Sequence, residues 1–120
     1  MAEIPEKTNK IIQEFISKVN ILLGKRIKKI ILYGSYARGD FNENSDIDIM
    51  ILTDLTDSEI IEEREKVWDI AYDIESDNNF DIVLSPLVKN IDKFNYWLPA
   101  LPFYMNVQKE GVILSESKNI

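Results

Sequence analysis

Residues 34–48 read GSYARGDFNENSDID, and several of these side chains are of the kinds that handle phosphate and divalent cations. Asp46 and Asp48 stand one residue apart where a second apolar run begins, and in an extended chain residues two apart face the same side. Two carboxylates held together repel unless a cation lies between them, and hard oxygen donors suit Mg2+ or Mn2+ better than zinc. Magnesium bound by one or two carboxylates fills its octahedron with water and substrate phosphates, so the pair implies a nucleotide beside the metal. Gly34 and Ser35 match that need. A strand that ends in a turn offers free amides and a hydroxyl to phosphate oxygens, and glycine lets the backbone come close. The stretch is not a Walker loop, because no Gly-Lys-Ser/Thr follows the glycine. Each feature alone has a bland reading: Gly-Ser is common in turns, and Asn and Asp suit any loop. The joint arrangement is what points to chemistry, with Gly-Ser closing one strand, ten residues between, and D-x-D opening the next.

Composition narrows the alternatives. The 120 residues contain no cysteine and no histidine, which removes thiolate and imidazole chemistry and leaves carboxylates, hydroxyls, cationic side chains, amides and a borrowed metal. With 21 acidic and 14 basic side chains the formal charge is −7, a surface that repels a phosphate backbone, so no direct nucleic-acid partner is expected. The length suits one domain, residues 1–120, around one core. MAEIPEKTNK lacks the basic start and apolar core of a secretion signal, and no apolar run approaches the ~20 residues that cross a bilayer. The expectation is a cytoplasmic protein with no membrane contact.

The elements that must hold these residues can be read from periodicity. Ile11, Ile12, Phe15, Ile16, Val19, Leu22 and Leu23 recur at helical steps up to Gly24. IKKIILY, 27–33, predicts a strand running into Gly34. DIDIMILT, 46–53, predicts a second, apolar on both sides and so buried on both faces. A helix capped near Asp57 runs through Val67, Ala71 and Tyr72 into ESDNN. FDIVLS predicts a third strand, ended by Pro86. From Asn90 to Glu110 the pattern is helical but broken at Pro99 and Pro102, the latter suited to a first helical turn, and Gly111 precedes a last short strand at VIL. The order predicts an α/β fold, a small mixed sheet with helices packed on it.

The stretch GSYARGDFNENSDID resembles, without a gap, the signature of the nucleotidyltransferase superfamily that includes DNA polymerase beta. It is most similar to the minimal nucleotidyltransferases, single domains of about this length with the form GSxARG...SDxDL, Ile49 standing for the usual leucine. The similarity extends through FDIVLS to the tail PFYMNVQKEGVIL. It implies the polymerase beta-like fold, with Gly34 and Ser35 on the triphosphate and Asp46 and Asp48 on the metals. It also implies a third catalytic and metal-binding carboxylate, matched in position by Asp81, opposite the pair across the sheet. Asp81 also reads as an edge residue facing water. Arg38 reads as a nucleotide-binding group that steadies a phosphate, or as the partner of a neighbouring acid. Ser45 shapes the loop, and Tyr36 either packs or lines the pocket.

Family members of this kind are antitoxins paired with HEPN-domain ribonuclease toxins. The resemblance therefore implies a magnesium-dependent protein adenylyltransferase: two Mg2+ ions, with Mn2+ an alternative, ATP as substrate, and a tyrosine hydroxyl of the toxin as acceptor within a hetero-oligomer. Three other readings stand beside it. In one, a non-catalytic module covers its partner through apolar residues near the broken helix, Phe94, Tyr96, Trp97, Leu98, Phe103 and Tyr104, which otherwise read as core. In another, the chain is a small-molecule nucleotidyltransferase of the aminoglycoside type, which ordinarily needs an added helical domain. A purely structural role leaves the adjacent aspartates unexplained.

Overall fold

The computed structural model describes residues 4–117. Helix α1, Glu6–Leu23, turns Ile11, Ile12, Phe15, Ile16, Val19 and Leu23 inward, and it stops at Gly24, whose φ of 52° carries the chain out of the helix. A single 3-10 turn, Gly24–Arg26, leads into strand β1, Ile27–Tyr33. One helical turn, α2 (Ser35–Arg38), follows at once, and after a polar loop comes β2, Ile47–Thr53. The long helix α3, Asp57–Asp77, then crosses to β3, Leu84–Asn90. Helices α4, Ile91–Trp97, and α5, Pro102–Glu110, precede the last strand β4, Val112–Glu116.

The strands lie in the order β3-β2-β1-β4, with β2 and β3 parallel through the α3 crossover and β1 antiparallel to β2 and β4. The mixed, helix-covered sheet expected from the sequence is present. Its central strand β2 is buried on both faces. Ile47, Ile49 and Ile51 join Ile30 and Leu32 of β1 in the larger core under α1 and α3, with Phe15 and Val67. Met50 and Leu52 join Ile31 in a second core under α4 and α5, with Phe94 and Val107. Residues of the same parity as Met50 therefore face α4 and α5, and Asp48 is one of them. Among the described residues no helix is long and apolar enough to cross a membrane.

Three expectations need correction. The cap of α3 is Thr56 rather than Asp57: the Thr56 hydroxyl accepts from the Glu59 amide while the Glu59 carboxylate accepts from the Thr56 amide, so two otherwise orphaned donors are satisfied. The third strand is not FDIVLS. It begins at Leu84, three residues past Asp81, and runs through Pro86 instead of stopping there. Strand β3 is an edge, bonded on one side only, and in a parallel ladder alternate residues face the neighbour. The Ile47 amide donates to the Val83 carbonyl and the Thr53 hydroxyl to the Lys89 carbonyl, so the odd positions face β2. Pro86 lies on the even, outward side, where its missing N–H removes nothing from the ladder. Asp46, finally, lies one residue before β2 rather than within it.

Candidate active site

Gly34 sits between β1 and α2 with φ 76° and ψ −155°, a conformation essentially restricted to glycine. It is also crowded: a Cβ built on Gly34 would fall well inside van der Waals contact with Oδ2 of Asp48. The turn that the sequence suggests for phosphate and the strand that carries the acids thus touch, and only a hydrogen side chain fits between them. The Gly34 carbonyl accepts from the Ala37 amide at 3.1 Å and the Arg38 amide at 3.0 Å, which winds α2. Ser35 is its first residue, where helix amides have no acceptor a turn earlier. Gly39, with φ 88°, closes the turn by donating to the Ser35 carbonyl at 2.9 Å.

Asp48 pairs in register with Tyr33 of β1 on one side and Ser85 of β3 on the other. It is half-buried, and its carboxyl is held above the usual range, first by burial and then by the charge of Asp46, with Arg38 partly offsetting both. The Tyr33 hydroxyl is pushed up to about 12, by burial first and the Asp48 charge second. Asp46 is exposed at the strand mouth, beside Ile47, whose amide bonds the Val83 carbonyl at 2.8 Å. The structure therefore brings together Gly34, Ser35, Asp46 and Asp48. Phe103 of α5 closes over Tyr33 edge-on, with ring centroids 5.7 Å apart.

The loop residues have defined tasks. Ser45 Oγ accepts from the Asn42 amide, the Ser45 amide donates to the Asn42 carbonyl, and Asn42 Oδ1 accepts from Asn44, so this loop is folded on itself and Ser45 shapes it. Tyr36 is buried and stacks on Phe41 at 4.6 Å, which settles it as packing. Arg38 donates to Asp40 at 3.2 Å and reaches Glu110 at 3.4 Å, and the first of these contacts contributes most to raising its basicity. It links the motif turn to the end of α5 while its charge reaches Asp48.

Asp81 stands apart from the strand on which it was expected. It is exposed, on a bend whose amide donates to the Asn78 carbonyl at 3.1 Å, and the residue that β3 places opposite Asp48 is Ser85. Among the described residues no group of three acidic side chains is disposed to hold a metal ion. The pair Asp46 and Asp48 fits one hard divalent cation in its chemistry: two carboxylates, the charge of one disfavouring that of the other, with Asp48 against the Gly34 turn. Sequence reasoning missed Tyr33, Ser85 and Glu110, and placed Phe103 on a partner face or in the core rather than beside Tyr33. The first two follow from strand register, which no local pattern encodes, and the last two from the packing of α5.

The sequence matches the family described as nucleotidyltransferase domain over residues 8–114. A candidate protein adenylyltransferase of Methanocaldococcus jannaschii is 36% identical over 105 residues, covering 88% of this chain and 95% of its own. A second from the same organism is 36% identical over 80 residues, covering 65% of this chain and 75% of its own. Among solved structures, a toxin–antitoxin crystal structure with AMP-PNP aligns with a TM-score of 0.48 at 23% identity, over 87% of this chain and 73% of that one. A mutant of the toxin–antitoxin MntA-HpeT aligns at 0.47 and 21%, over 86% and 72%.

Proposed function

Because the chain belongs to the nucleotidyltransferase domain family, we propose that it transfers AMP from ATP to a hydroxyl of a partner protein, a tyrosine of a HEPN ribonuclease toxin, and so acts as its antitoxin. The observation that carries this reading is the close approach of Gly34 to Asp48, which sets the glycine-serine turn against one of the two acids. The names of the relatives from Methanocaldococcus jannaschii support protein as the acceptor. The resemblance of GSYARGDFNENSDID to minimal nucleotidyltransferases supports the toxin.

In this reading Asp46 and Asp48 would hold Mg2+, and Asp81, the third acid that the resemblance implies, stands outside that pair on the connection from α3 to β3. Bound there, the ion would supply Lewis acidity to phosphate oxygens and make an acceptor hydroxyl more acidic. The Ser35 hydroxyl and the first amides of α2 bind the β- and γ-phosphates, and Gly34 permits that approach. Arg38 adds a positive charge on the same side, held in place by Asp40 and Glu110. The acceptor oxygen forms a bond to the α-phosphorus as the bond from that phosphorus to the bridging oxygen breaks. Pyrophosphate leaves, and the hydroxyl proton passes to a carboxylate, for which Asp81 is the proposed group in a chain with no histidine.

The test is to combine the chain, ATP, Mg2+ and the protein encoded next to it, and to follow intact mass. One or more AMP units on the partner are expected, with an Asp48→Asn variant slower by at least about a hundredfold. Normal modification by that variant would refute the metal assignment. A tight complex with no added mass would favour the second reading, a module that covers its partner. The apolar residues left outside the core favour that one: Tyr96 is 75% exposed, Trp97 48% and Phe103 46%, whereas Phe94 is buried.

A further inference from the structure

At the other end of the sheet from Asp48, a cavity of about 490 Å³ opens along the free edge of β3. Its floor is Val88, Lys89 and Asn90, with α3 on one side through Ile60 and Arg64 and the α4–α5 corner on the other through Lys93 and Trp97. The volume is within the roughly 300–1,000 Å³ of ligand pockets. The lining carries three cations, Arg64, Lys89 and Lys93, against one acid, Asp57, and that acid already pairs with Lys93. In a chain of net charge −7, this is a local reversal of sign that favours an anionic group.

The backbone of the floor is selective as well. The outward positions of β3 are Leu84, Pro86, Val88 and Asn90, by the same ladder parity that explains Pro86. The Leu84 amide is taken by the Glu75 carboxylate at 2.9 Å, and Pro86 has no amide, so the first half of the edge is closed to another strand. The Asn90 side chain caps α4 and bonds the Leu55 carbonyl. Val88 is the outward position whose amide is neither absent nor taken by a side chain; the residue is largely buried, its side chain in the larger core, and what remains of it lines the cationic cavity beside the half-exposed Trp97 and Leu101. A small anion would need only the cations. The strand edge left without a neighbour at Val88 and the apolar corner instead suit an extended peptide that carries carboxylates next to apolar side chains.

We propose that the β3 edge cavity is a docking site for an acidic extended segment of a partner protein, which pairs its backbone with Val88 and sets a carboxylate among Arg64, Lys89 and Lys93. The site is separate from the Asp46/Asp48 site and does not depend on the proposed transfer reaction.

The test uses the full chain and capped eight-residue peptides of alternating valine and glutamate, valine and lysine, or valine and glutamine. Binding is followed by the indole N–H resonance of Trp97 and by the amide resonance of Val88. The acidic peptide is expected to bind and to shift Val88, and the lysine peptide to do neither. A version N-methylated at alternate residues on its pairing edge should weaken by about tenfold or more, and the double variant Arg64→Glu/Lys89→Glu should do the same while keeping its circular dichroism. Asp48→Asn should bind the acidic peptide as well as the parent does, which separates this site from the proposed catalysis. The proposal is overturned if the acidic peptide fails to bind at millimolar concentration, if the lysine or N-methylated peptide binds equally well, or if ATP alone displaces it from Val88.

Discussion

Asp48 carries a charge that its surroundings in the fold disfavour. Burial and the neighbouring Asp46 both favour its protonated form, so its pKa is higher folded than unfolded. A folded state that binds the proton more tightly loses stability as pH rises from the unfolded pKa through the folded one, and the loss is complete above both. Asp48→Asn removes that term. It should melt higher than the parent at pH 7 without metal. The gap should close as pH falls below the ordinary carboxylate range, and calorimetry at several pH values would read it; a variant that melts lower at pH 7 would contradict this account. Gly34 carries a different load. Gly34→Ala meets both the φ of 76° and the Asp48 carboxylate, so it should cost about 1–3 kcal/mol in urea denaturation and lower transfer activity at least tenfold per folded molecule. Retained activity with lost stability would mean that the close approach serves packing alone.

Helix α3 and strand β3 show how local chemistry sets the frame around the site. The capping box of Thr56 and Glu59 fixes where α3 starts, and Arg26 binds both Glu59 and Asp54, which ties the helix to the end of β2. Hydrogen bonds from Arg26 first, and then from the Thr56 backbone, bring Glu59 to about 2. Thr56→Ala should cost about 1 kcal/mol by denaturant midpoint. It should leave transfer activity unchanged, because the cap is at the end of the sheet away from Asp48; a large activity loss would indicate coupling along β2. Much of this was legible in advance. Helix α1, β1, the proline-started α5 and β4 follow from apolar period, glycine and proline. Strand β3 was not, because FDIVLS is as apolar as a strand should be, and Pro86 looks like a terminator until the edge position of the strand is known.

At the level of the molecule, charge and topology together define what can approach. The net −7 is offset locally by Arg38 at the motif turn and by the cations along β3. Duplex DNA should therefore show no retention at about 150 mM salt in a filter-binding assay, and micromolar binding there would overturn the reading of the surface. The sequence alone excluded imidazole and thiolate ligands, since it has no histidine or cysteine, and marked the glycine-serine pair and the two aspartates as one candidate site by the ten residues between them. Folding in three dimensions assigned the neighbours. It set Tyr33 and Ser85 on either side of Asp48, drew Glu110 to Arg38, left Asp81 on an exposed bend, and opened a cationic cavity at the far edge. The division has a physical cause: side-chain type and spacing along one strand are local, whereas strand register and helix docking depend on how the whole core closes.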